Sequence, residues 1–211
     1  MADWVTISAL ATATGTLVLA TATFASVRSS NRSARAAERA VLAGIRPLLS
    51  QSRFDDAKQK VYFVDDHMTL LEGGRASAES VDGTLYLAIS LRNSGSGIAV
   101  LDRWNLRPER LTADVLPGDP STFRRLTRDI YIAANEVGFW QGAFRDPAEP
   151  GYAEIAHAIA ARETMTLDLF YGDSEGGQHT ITRFALIPRG DSDVWLATVG
   201  RHWNIERDDP R

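Results

Sequence analysis

From position 4 to position 27 the chain reads WVTISALATATGTLVLATATFASV, without one charged side chain. At about 1.5 Å per residue such a helix spans roughly 36 Å, enough for a hydrocarbon core of about 30 Å. The strongly apolar members are Val5, Ile7, Leu10, Leu17, Val18, Leu19, Phe24 and Val27, diluted by alanine and threonine. On an insertion scale those eight contribute on the order of −2 to −5 kcal/mol, so crossing a membrane is favoured by a modest margin. Helical character continues through Ala34, Ala36, Ala37, Ala40, Val41 and Leu42, and Pro47 predicts a helix end at Arg46 by disfavouring helical backbone there.

Beyond Pro47 the period falls from the helical value to two. In TLYLAISLR, Leu85, Leu87, Ile89 and Leu91 point one way while Thr84, Tyr86, Ala88, Ser90 and Arg92 point the other. Met165, Leu167, Leu169 and Tyr171 alternate with Thr164, Thr166, Asp168 and Phe170, and the turn GDSEGG then leads to HTITRFALI, which predicts a hairpin. Further strands are predicted at 48–54, 60–64, 98–106, 129–134 and 194–199, with one helix at 152–161. The expected fold is mainly β: an anchor over 1–27, a helical stalk over 28–47, and an antiparallel Ig-like β-sandwich with one short helix over 48–211.

Between two predicted strands lies RNSGSGIAVL, residues 92–101. A phosphate-binding loop leads into a helix, whereas β-formers follow here and the Lys-Ser/Thr of a P-loop is missing. The stretch therefore predicts a hairpin turn with a bulge, Asn93, Gly95 and Gly97 supplying tolerance of positive φ. The apolar segment, the basic stalk ending in Arg46-Pro47, the turn Asn93-Ser94-Gly95-Ser96-Gly97-Ile98-Ala99 and the late Tyr171-Gly172-Asp173 hairpin together resemble a group of bacterial single-pass membrane proteins with a cytoplasmic β-sandwich. Proline often stands in that group where Ile98 stands here, and its turn is shorter than the one at Gly176-Gly177. The resemblance implies a layout across most of the chain. No activity is assigned to the group, so no functional residue carries over.

Charge adds an orientation. Four arginines, Arg28, Arg32, Arg35 and Arg39, follow the apolar run, whereas Met-Ala-Asp precedes it with an acid and no base. A cleaved signal peptide wants the opposite flank, so a retained anchor is the leading reading over a signal or a soluble core helix. Positive charge stays inside, which predicts an outer N-terminus and a cytoplasmic domain; a domain outside the cell is the alternative. The four arginines also fall on one stripe that would meet anionic headgroups at about 1 kcal/mol each. Ser8, Thr12, Thr16, Ala20 and Thr23 align on one face of the helix, a candidate surface for a second copy or another membrane protein; hydroxyls bonded back to their own helix are the alternative.

Five arginines against Asp3 and Glu38 give residues 1–46 a charge of +3, which leaves −7 on the rest of a chain with net charge −4. An acidic domain repels a phosphate backbone, so nucleic acid is not an expected partner. With 44% apolar residues the chain can build a core, and with no cysteine it has neither disulfides nor thiolate ligands.

Catalytic signals are sparse. His67, His157, His179 and His202 show no metal-ligand spacing, and neither a nucleophile elbow nor a dinucleotide fingerprint occurs. Asp65-Asp66-His67 and the trio Asp173, Glu175 and His179 read as solvated turns ahead of a metal or acid–base site. No catalytic residue, cofactor or metal is expected. A long connection over 103–129 carries Arg103, Arg107, Arg110, Arg124, Arg125 and Arg128, broken by Pro108, Pro117 and Pro120, and is the candidate interaction surface. Phe139 and Trp140 read as core, with an exposed contact patch as the alternative. The function expected is a tethered interaction or scaffold module; the alternative is a ligand-sensing or enzymatic domain using the 103–129 region.

Overall fold

The computed structural model describes residues 3–190 and 194–206. The first two residues of the expected anchor and the last five of the expected sandwich lie outside the described residues. The chain divides into two compact units, one up to Ala43 and one from Gly44 onward.

The first unit is a single helix, α1 (Trp4–Gly44), of 41 residues, so the expected anchor and stalk are one uninterrupted element. It stops two residues short of Arg46, at a glycine, the residue that most readily leaves helical geometry. From Ile7 onward α1 is long and apolar enough to cross a membrane. Three threonines of the candidate association face bond back to their own helix: Thr12, Thr16 and Thr23 donate to the carbonyls of Ser8, Thr12 and Leu19 at 2.8–2.9 Å.

The second unit is antiparallel β. Its strands are β1 (Leu49–Gln51), β2 (Gln59–Tyr62), β3 (Met68–Leu71), β4 (Arg75–Val81), β5 (Thr84–Asn93), β6 (Ala99–Arg107), β7 (Arg124–Ile132), β8 (Val137–Phe144), β9 (Met165–Gly172), β10 (His179–Pro188) and β11 (Trp195–Asn204). The short helix α2 (Tyr152–Ala161) falls where its periodicity predicts. Nine strands form one sheet in the order β1-β5-β4-β11-β10-β9-β6-β7, with β8 also paired to β5; β2 and β3 form a separate hairpin. The sheet curls so that both halves face one core, in which Leu85, Leu87, Ile89 and Leu91 of β5 meet Leu167, Leu169 and Tyr171 of β9, Phe184 of β10 and Trp140 of β8. The two layers of the expected sandwich are thus parts of one continuous sheet.

β1 and β4 lie along the same edge of β5, Gln51 opposite Leu91 and Ala76 opposite Ile89. They are two halves of one strand row, interrupted by an excursion from 53 to 74 that carries hairpin β2–β3. At its base, Gly74 N–H donates to Ser52 Oγ at 2.9 Å. The excursion folds back over the outer face of the sheet, where Val61, Phe63 and Leu71 bury Tyr86 and Ala88. That explains why β5 is buried on both faces although its sequence alternates.

The predicted β9–β10 hairpin is present, with Asp168 opposite Arg183 and Thr180 opposite Tyr171. Two expectations need correction. The 92–101 stretch is no hairpin, because β5 pairs with β1, β4 and β8 while β6 pairs with β7 and β9; it is a crossing between layers. The long connection expected over 103–129 is confined to 108–123: Arg103 and Arg107 belong to β6, Arg124, Arg125 and Arg128 to β7, and Arg110 alone of the six lies on the connection.

Candidate functional site

The densest polar construction in the β unit surrounds the chain just after the helix. Residues 45–48 lie against the 93–97 loop: Ser96 N–H donates to the Arg46 carbonyl at 3.1 Å and Ser94 N–H to the Leu48 carbonyl at 2.8 Å. Asn93, fully buried, organises the contact. Its Oδ1 accepts from Leu48 N–H (3.1 Å) and Gly95 N–H (3.0 Å), and its Nδ2 donates to the carbonyls of Gly97 (2.6 Å) and Ile132 (3.0 Å). An amide has two donors and two acceptor positions, and all are used.

None of Asn93, Gly95 and Gly97 has positive φ, which corrects the reason given for them above and leaves the two glycines to be explained otherwise. They are glycines because backbone lies on top of them. A Cβ on Gly97 would sit 1.7 Å from the Ile45 oxygen, and one on Gly95 would sit 2.3 Å from the Arg46 oxygen. The loop resembles an anion cradle in sequence because both need close backbone approach; here the approaching group is the chain's own helix-exit segment.

The next residues continue inward. Leu49 N–H donates to the Tyr171 hydroxyl at 3.0 Å, that oxygen lies 2.9 Å from Thr182 Oγ1, and Thr182 Oγ1 lies 2.8 Å from His202 Nδ1. Arg46 Nη2 donates to Thr180 Oγ1 at 3.4 Å, and the Gln51 side-chain oxygen accepts from Val199 N–H at 3.1 Å. Burial, then the positive charge of Arg46, hold the His202 imidazole below its ordinary pKa. Burial raises the Tyr171 phenol, against the hydrogen bonds from Thr182 and Leu49. Asn93, Tyr171, Thr180 and Val199 N–H bond the segment 45–51 directly, with Thr182 and His202 behind Tyr171; sequence reasoning missed the site because its members lie up to 157 positions apart along the chain.

The six candidate arginines do not converge. Arg103 donates to the carbonyls of Pro120 and Ser121 (3.3 and 3.2 Å) and faces Asp102. Arg124 binds Glu149 and stacks over Trp104 and Phe144, its guanidinium 4.9 and 4.1 Å from the ring centres. Arg125 is exposed, 4.0 Å from Asp102, and Arg128 lies over Phe139. Arg107 is half-buried beside Gly118, and Arg110 is exposed. Between β7 and β8 a cavity of about 40 Å³ is lined by Trp104, Arg124, Arg125, Gln141 and Arg145. Its three guanidiniums each face a carboxylate, of Glu149, Asp102 and Asp65, and the volume suits ordered water at the buried Gln141 Oε1.

The other sequence candidates separate as well. Asp65 accepts from Tyr86 Oη (2.8 Å) and Arg145 Nε (3.1 Å), Asp66 takes the positive φ of the hairpin tip, and His67 stacks on Tyr86 beside Glu79. Asp173 turns into its own loop, accepting from the backbone of Glu175 and Gly177, while His179 faces Glu206 and stacks on Phe170. No group of three metal-ligating side chains is present among the described residues. Trp140 is core, and Phe139 is partly buried against it.

One apolar surface stays open. Of the eleven exposed large hydrophobics among the described residues of the β unit, Phe54, Tyr62, Val64, Met68 and Leu70 belong to the 53–74 excursion. Tyr62 pairs with Met68 and Lys60 with Leu70 across its outer face.

No protein-family model matches the chain, and neither does any curated protein or solved structure.

Proposed function

We propose that the protein is a single-pass membrane-tethered module whose β domain docks a partner protein on the cytoplasmic side. The observation that carries the tether is the helix itself, which from Ile7 onward is long and apolar enough to cross a membrane. The arginines that follow the apolar run support an outer N-terminus. The docking face is the outer side of hairpin β2–β3, since an appended hairpin with apolar residues on both sides leaves one side without cover. The excursion over 53–74 carries Arg53, Lys58 and Lys60 against Asp55, Asp56, Asp65, Asp66 and Glu72, a balance that an anionic headgroup layer does not attract, so the occupant is an apolar protein surface and not lipid.

Two measurements test this reading. A C-terminal fluorescent fusion should light up and fractionate with membranes, and deleting residues 4–27 should move it to the soluble fraction; activity of a C-terminal exported phosphatase would overturn the orientation. A photo-crosslinker at Met68 should yield one discrete protein adduct in cells, abolished by Leu70→Glu, whereas one at Arg110 should yield none. An adduct at Arg110 and none at Met68 would move the surface to the connection between β6 and β7.

A further inference from the structure

β7 and β8 follow one another along the chain, and strands so placed usually pair as a hairpin. These two share no backbone pair. β7 pairs with β6 alone and β8 with β5 alone, so they are the two ends of the curled sheet, joined by residues 133–136. The ends are defended unequally. β7 carries Arg124, Arg125 and Arg128 against Asp129, and its pairing with β6 breaks register between Leu101 and Arg103. Charge and irregularity of this kind keep a free edge from recruiting another strand. β8 has no charged residue, no proline and an unbroken register with β5.

Strand geometry gives the groups that the bare edge offers. Asn93 N–H donates to the Glu136 carbonyl at 3.0 Å. Counting by twos from Glu136, the residues Gly138, Trp140 and Gly142 turn their N–H and C=O towards β5, which leaves those of Val137, Phe139, Gln141 and Ala143 on the far side. The Ala143 carbonyl agrees with the count: it accepts from Arg124 Nη2 at 3.4 Å, a side chain standing where a strand would supply an N–H. Gln141 is 7% exposed, and its side-chain oxygen is buried without a hydrogen-bond partner where the residue lines the cavity between the two strands.

We propose that this edge of β8 is a strand-addition site for an extended acidic segment of another protein, bound through the main chain of Phe139, Gln141 and Ala143. Charge selects the occupant. The cavity lining holds Arg124, Arg125 and Arg145 and no carboxylate; Glu149, Asp102 and Asp65 reach those guanidiniums from outside it. Two positive charges are available to a newcomer. Arg125 is 75% exposed and 4.0 Å from Asp102, and Arg128 lies over Phe139 without an ion pair among the described residues. A second copy of the chain is the poorer occupant, because its own β8 brings no carboxylate. The cavity of about 40 Å³ is smaller than a strand, so entry requires β7 to yield at 126–129, where it has no backbone pair on either side. A strand N–H then replaces Arg124 at the Ala143 carbonyl, and Arg124 keeps its ion pair with Glu149. The site is separate from the outer side of hairpin β2–β3 and independent of the membrane span.

Amide exchange, read residue by residue by NMR on the full chain in detergent micelles, decides the matter. The probe is a short synthetic peptide that alternates glutamate with valine. At about ten times its Kd, exchange at Phe139, Gln141 and Ala143 should slow by about tenfold, while Gly138, Trp140 and Gly142, already bonded to β5, change little. The same peptide N-methylated along one edge, or with lysine for glutamate, should protect none of them. Ala143→Pro removes a donor from the free side of β8 and none from the ladder with β5, and should weaken binding by about tenfold. Arg125→Gln with Arg128→Gln changes two exposed side chains and should raise Kd by about fivefold; it carries the test if the proline variant does not fold. The site is overturned by any of three results: no protection at peptide concentrations up to about 1 mM, equal protection by the N-methylated or lysine peptide, or a Kd unchanged in the arginine variant. Protection of the same amides that rises with protein concentration in the absence of peptide would assign the edge to a second copy and overturn it too.

Discussion

Replacing Arg183 with methionine should destabilise the β domain by about 3–5 kcal/mol. Arg183 and Asp168 are 2% and 1% exposed and meet in a two-bond fork, Nε to Oδ1 and Nη2 to Oδ2, each 2.7 Å. Arg183 Nη1 also donates to the carbonyls of Thr112 (2.9 Å) and Val115 (2.7 Å), pinning the connection between β6 and β7 over the outer face of β9 and β10. Beneath that cover, Phe123, Ile181 and Trp203 form a small apolar cluster, with the guanidinium 4.8 Å from the Trp203 ring centre. Removing the arginine leaves a carboxylate buried without its counter-ion, and that is the costly state. The double change Asp168→Leu with Arg183→Met removes both charges and should recover most of the loss in denaturant unfolding. A double variant no more stable than Arg183→Met would mean that the bonds to the connection, and not the stranded carboxylate, dominate.

The same pair shows how far a sequence reading reaches. Alternation located β5, β9, β10 and α2 because burial on one face of a strand or helix leaves a local period that needs no distant partner. Once Gly172 is set opposite His179 by the hairpin turn, counting back four residues on one strand and forward four on the other brings Asp168 to Arg183. A charged pair at opposed positions was therefore available to a register argument, although its burial was not, because the cover comes from residues 112–123 on another part of the chain. β7 and β8 were harder. β7 is mostly exposed and rich in arginine, so it lacks the apolar period of a half-buried strand. The split of one strand row into β1 and β4 left no mark, since each half is short and the interruption carries a hairpin of its own. Arginine content pointed to a binding surface, but Arg103, Arg124, Arg125 and Arg128 meet partners within the fold through contacts that composition does not encode.

The helix-exit loop turns this lesson into a second large effect. Gly97→Ala should destabilise the β domain by about 1–3 kcal/mol, the range for overpacking, because the new methyl meets the Ile45 carbonyl at 1.7 Å and neither partner is a side chain that can rotate away. The strain falls on residues 45–48, so exchange protection there should drop before the core opens. Gly176 provides the contrast: it has φ +71° and open space around its missing Cβ. If glycine were needed at 97 for backbone freedom, both sites should tolerate asparagine better than alanine, as left-handed positions do. Close approach predicts a split. Gly176→Asn should be nearly neutral, and Gly97→Asn should be worse than Gly97→Ala because it adds volume where one methyl is already too much. A Gly97→Ala protein within about 0.5 kcal/mol of wild type, the scatter of an ordinary surface change, would mean that the exit segment slides on the loop instead of being clasped by it. The bond from Leu49 N–H to the Tyr171 hydroxyl depends on the same clasp, since a segment displaced from Asn93 would carry Leu49 away from Tyr171.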